Sequence, residues 1–158
     1  MRHSLRTGFS FGLTSGIITT LGLMVGLHSG THSKLVVIGG ILTIAIADAF
    51  SDAMGIHIAE ESENKHTRKQ IWLSTISTFL FKLIFALTFV VAILFFELLT
   101  AVVINIFWGL ALLSIFSFFI AKEQKKNPRQ VIAEHLIIAL VVITITHYVG
   151  DWIALTFR

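Results

Sequence analysis

Five apolar runs decide what this chain can fold into, at about residues 9–27, 35–58, 71–96, 98–121 and 131–157. Each is close to, or longer than, the roughly 20 residues that an α-helix needs to cross a bilayer. Backbone N–H and C=O groups find no water in lipid, so such runs resolve into helices that satisfy them internally. The expected architecture is an all-α integral membrane bundle of five transmembrane helices, a single transmembrane domain over residues 1–158, with the lipid bilayer as its partner. Charged residues make up 13% of the chain, against about 25% in soluble domains, and little is left for a soluble domain. Only Phe95-Phe96-Glu97-Leu98-Leu99-Thr100 separates the third and fourth runs. A tight turn at Glu97 fits the length better than one very long helix. Pro128 marks the start of the last helix.

Charge sets the expected orientation. Arg2 and Arg6 precede the first run, Lys65, Arg68 and Lys69 follow the second, and Lys122, Lys125, Lys126 and Arg129 follow the fourth. These nine basic residues share one side, against Lys34 and Arg158 on the other. The positive-inside rule then puts the N-terminus in the cytoplasm and the C-terminus outside, and the compact length suits a prokaryotic plasma membrane. The net charge of +3 does not call for nucleic acid, because the basic residues sit in short clusters between apolar runs. The first run carries Gly, Ser and Thr and no clear cleavage site, so it reads as a retained span. With no cysteine in the chain, metal chemistry falls to Asp, Glu, His, Met or backbone oxygen.

The first span has Gly8, Gly12 and Gly16 at intervals of four, then Gly22 and Gly26. This spacing makes a groove without side chains where another helix can approach closely, in this chain or in a second subunit. Gly39 and Gly40 could face that groove.

Charged side chains inside a bilayer cost several kcal/mol on insertion scales, so each needs a partner, a cavity or a function. Asp48 and Asp52 stand four apart in the second span, roughly 40 degrees apart on a helical wheel. Like charges so placed repel, and a pair that holds either protons or a divalent ion is what a proton-coupled cation carrier needs. Lys82, inside the third span, is their charge partner, as a structural ion pair or as the group that holds the empty site closed. The second span continues into Met54, His57, Glu60, Glu61, Glu63 and His66, an oxygen and nitrogen donor set suited to Fe2+, Mn2+, Co2+ or Zn2+, with a thioether in the path. Glu61 and Lys65 have the i, i+4 spacing of a solvated helix pair. In the last span Thr144, His147 and Asp151 share one face. His147 and Asp151 are a secondary metal or proton site, or a local helix-end hydrogen bond beside the interface anchors Tyr148 and Trp152. Glu134 and His135 read as first-turn residues of the last helix, and His28 and His32 as solvated outer-loop residues.

Gly12-Leu13-Thr14-Ser15-Gly16-Ile17-Ile18-Thr19-Thr20-Leu21-Gly22-Leu23 resembles the opening of the vacuolar iron transporter family. Residues 47–62 are similar to that family's second span, with Ser51, Ala53 and Gly55 aligning, and Thr146-His147-Tyr148-Val149-Gly150 is similar to its closing segment. The resemblance implies a homodimer packed through the Gly-rich first spans, moving Fe2+ or Mn2+ out of the cytoplasm in exchange for protons. No metal is then held permanently, and the path is lined by the first two helices, at Ser15 and Thr19. The chain departs from the family pattern at three positions. The family's first-span acid falls on Ser15, its second-span methionine on Asp52 and its next glutamate on Ile56. Asp52, with Asp48 and Met54, would replace the lost first-span carboxylate. The helical metal-capturing insertion of some relatives is reduced here to residues 60–70, leaving capture to Glu60, Glu61, Glu63 and His66. The expected function is a small proton-coupled divalent metal transporter. The competing expectation is a non-transporting scaffold or regulator of the same fold. A channel would show flux without proton dependence, and a hydrolase built on Ser15, His147 and Asp151 has no support in their spacing.

Overall fold

A computed structural model describes residues 2–157 and contains five helices: α1 (Arg2–Thr31), α2 (Lys34–Ser62), α3 (Arg68–Phe95), α4 (Leu98–Glu123) and α5 (Pro128–Thr156). All five are long and apolar enough to cross a membrane. Of the residues in the charge count, Arg158 and the side chain of Arg2 lie outside the described residues. Each helix runs past its apolar run at one or both ends, because the backbone keeps its i→i−4 bonds where the side chains turn polar.

Local chemistry sets the ends. Thr67 and Gln70 form a capping box: the Thr67 N–H donates to the Gln70 side chain at 2.8 Å, and the Gln70 N–H donates to the Thr67 hydroxyl at 3.4 Å. Asn127 caps α5 by accepting from the Arg129 N–H, and Pro128 takes the first position, as the sequence predicts. α4 closes with Lys125 at φ 55°, and the N–H groups of Lys126 and Lys125 donate to Ala121 and Lys122 in a Schellman pattern. The break at Glu97 is real: α3 stops at Phe95, Glu97 is the extended N-cap of α4, and Lys34 Nζ donates to the exposed Phe96 carbonyl at 3.0 Å. α5 begins three residues earlier than the hydropathy edge. Glu134 and His135 therefore lie in its second turn, where Glu134 accepts from Gln130 and His135 pairs with Ser117.

The contacts of the described residues gather into two units. The first takes in the chain up to Thr20 and Ile41–Val90, the second Leu21–Gly40 and the chain from Val91 on. In the first, α1 and α3 run in the same direction with α2 antiparallel to them. A Cβ at Gly12 would lie 2.6 Å from the Thr78 carbonyl oxygen and 3.0 Å from the Lys82 nitrogen, and one at Gly16 would lie 3.0 Å from the Lys82 carbonyl oxygen. Gly8 meets Ser74 and Ser77 in the same way. In the second unit, Gly22 and Gly26 meet Thr146 of α5, and Gly30 crosses Gly150 backbone to backbone.

The glycine faces of α1 are thus filled by α3 and α5 of the same chain. The close helix approach that the glycine spacing predicts is made within the chain, and a homodimer through these spans gains no support from it. Gly40 packs on Leu23 and Leu27 of α1, and Gly39 faces open space. We expect Gly12→Ala to destabilise the fold by about 1–3 kcal/mol through its clash with α3 backbone. Gly39→Ala should be neutral or stabilising by up to about 1 kcal/mol. Unfolding titrations in mixed micelles read both, and equal effects would contradict the packing described.

Candidate functional site: two carboxylates on one buried lysine

The first unit brings Ser15 of α1, Asp48 and Asp52 of α2 and Lys82 of α3 together. Close approach of α1 at Gly12 and Gly16 buries the Lys82 stem, leaving the side chain 2% exposed. Its ammonium donates to Asp52 Oδ2 and to Ser15 Oγ, the latter at 2.8 Å. Ser15 in turn donates to Asp52 Oδ2 at 2.6 Å, closing a ring of three groups. Asp48 Oδ2 lies 2.5 Å from the same ammonium as an ion pair, but outside the direction of a hydrogen bond, so this buried oxygen has no directed partner. The carboxylates are about one-fifth exposed, 23% for Asp48 and 20% for Asp52. With all three groups charged, two carboxylates and one ammonium sum to −1. A buried charge that is not fully paired is costly to keep.

Other sequence-predicted residues lie elsewhere. Met54 and His57 are on another face of α2, since two residues turn a helix by about 200 degrees. They line an apolar groove of about 460 Å³ between α2 and α3, with Phe50, Trp72, Thr75 and Phe79, where His57 Nδ1 bonds Thr75 Oγ1 at 2.9 Å. Glu60 is 6% exposed and accepts from the Ser74 hydroxyl. α2 ends at Ser62 and Asn64 turns at φ 53°, which takes Glu63 and Lys65 out of helical register. Glu63 instead sits 3.7 Å from His66. The Thr19 hydroxyl is spent on the Ser15 carbonyl of its own helix at 2.7 Å. Among the described residues no three His, Asp or Glu side chains gather to hold a metal ion as they stand.

In the second unit, His147 Nε2 lies 3.5 Å from Asp151 Oδ2 and its Nδ1 bonds Ser29 of α1. His28 is in the last turn of α1, its ring centroid 5.3 Å from that of His32. The sequence reading missed Ser29 and the buried hydroxyls of Ser4, Ser74, Ser77 and Thr78 near the basic end of the first unit. The signal was available: Ser74, Thr78 and Lys82 recur every four residues on α3, one polar stripe on an otherwise apolar helix.

Residues 9–75 match the sequence model of the VIT family. That match covers less than half of the chain and is a similarity to the VIT family, a family that implies transport of metal ions across a membrane. The VIT match spans α1, α2 and the first turns of α3, so it includes Ser15, Asp48 and Asp52 and stops short of Lys82 and of residues 146–150. No curated protein and no solved structure matches the chain.

Hydrogen bonding separates the two acids. Either Asn leaves Lys82 a neutral pair with the remaining acid, but Asp52→Asn puts a weaker, uncharged amide acceptor where both directed hydrogen bonds end. We expect Asp48→Asn to raise metal-free stability and Asp52→Asn to lower it, each by about 1–2 kcal/mol. Thermal melts in detergent check this, and two losses of equal size would contradict the assignment of unequal roles.

Proposed function

We propose that this protein is a proton-coupled divalent metal transporter that moves Fe2+ or Mn2+ out of the cytoplasm through the Asp48 and Asp52 site. The observation that carries the reading is the charge imbalance there: two carboxylates of α2 converge on one buried ammonium. A buried site with one charge unmatched binds a proton or a more highly charged cation with a gain that a balanced ion pair lacks. The basic end of the chain faces the cytoplasm, Glu61, Glu63 and His66 attract cations there, and protons arriving from the opposite side release the metal. Alternating exposure of one site to the two faces couples the two fluxes. Co2+ and Zn2+ suit the same donors.

One observation favours a second reading. Lys82 touches both acids, as it would in a non-transporting scaffold where the three charges are permanent partners. Proteoliposomes distinguish the two. We expect Fe2+ and Mn2+ uptake that depends on a pH gradient, lost by at least about a hundredfold in the Asp48→Asn, Asp52→Asn double variant. Absence of flux in the folded parent, beside a working control transporter, would establish the scaffold reading.

A further inference from the structure

The ammonium of Lys82 is not a passive neutraliser, because it stands where a cation would stand. It is within contact distance of both carboxylates. The surrounding chain fixes it there: Gly12 and Gly16 bring α1 against the Lys82 backbone, and Gly16 also meets its stem. A tethered, pre-oriented group fills a site without the translational entropy loss that a free ion incurs. A monovalent ion that displaces it offers the acids the same single charge and must shed its own water. A divalent ion offers twice the Coulomb energy to each carboxylate at a given distance.

Displacement also needs somewhere for the ammonium to go. Thr78 lies one turn before Lys82 on α3, and helical side chains lean toward the N-terminus, so a withdrawn Lys82 reaches back to this level. The Thr78 residue is fully buried, and its hydroxyl has no hydrogen-bond partner in this structure. A buried hydroxyl without a partner calls for an explanation, and a waiting acceptor for the displaced ammonium supplies one.

We propose that Lys82 is a built-in monovalent competitor that sets the specificity of the site, excluding Na+ and K+ and yielding to a divalent metal ion by moving from Asp48 and Asp52 to the Thr78 hydroxyl. The inference rests on the proposed function, in that it takes the two acids as the cation seat, and it adds what selects the cation.

Equilibrium retention of Mn2+ by the purified full chain tests it, in KCl and in choline chloride of equal ionic strength. In the parent the two salts act alike, because K+ does not compete beyond screening. In Lys82→Met, K+ lowers Mn2+ retention about tenfold more than choline does. Thr78→Val leaves the resting contacts intact and removes an unpaired buried hydroxyl, so its metal-free melting midpoint is no lower than the parent's, yet it loses about tenfold in Mn2+ affinity, while Thr78→Ser retains that affinity. Competition by K+ in the parent overturns the filter alone, as does a Thr78→Val protein that binds Mn2+ like the parent. A parent that binds no Mn2+ overturns the filter and the proposed function together. The parent and Thr78 arms decide the matter even if Lys82→Met does not fold.

Discussion

One ammonium between two carboxylates is the interaction on which the first unit depends. Removing Lys82 would leave two buried like charges facing each other, a state that costs several kcal/mol in a low-dielectric surrounding. Keeping it leaves one negative charge in excess. Stability alone would favour a single acid, or an apolar replacement of similar volume, and a chain that retains the second acid keeps a site able to take up positive charge.

The glycines of α1 serve this interaction as much as they serve packing. Lys82 reaches Ser15 and Asp52 because no side chain at Gly12 or Gly16 holds α3 away. The same device repeats in the second unit, where Gly26, Gly30 and Gly150 let α1 and α5 meet on backbone. Without a hydrophobic driving force between helices in lipid, close backbone approach and polar contacts are what hold such helices together. Small residues and the polar ring are therefore one design, in which the first allows the distance that the second needs.

Much of this was legible in the sequence. Apolar run length gave five helices, Pro128 gave the start of α5, and the i, i+4 spacing of Asp48 and Asp52 put them on one face with Lys82 as partner. Three things were missed. Glycine spacing shows that a helix approaches but not which one, so α3 and α5 could not be told from a second subunit. Residues that follow the acids in sequence, Met54 and His57, looked like neighbours, yet helical rotation turns them to a different face. Hydrogen-bonded polar side chains on α3 escaped notice because serine and threonine in an apolar run read as tolerated spacers until their partners are seen. The match to the VIT family ends at residue 75, before Lys82, so it carries no information on the lysine of this site.

In this account the resting state has a lysine seated where the transported ion will sit. Anomalous diffraction at the manganese edge, from crystals grown with Mn2+, tests that most directly. The account predicts an anomalous peak between Asp48 and Asp52, with the Lys82 ammonium withdrawn toward Thr78. A peak elsewhere, at Glu63 and His66 or at His147 and Asp151, with Lys82 still on both carboxylates, would contradict it.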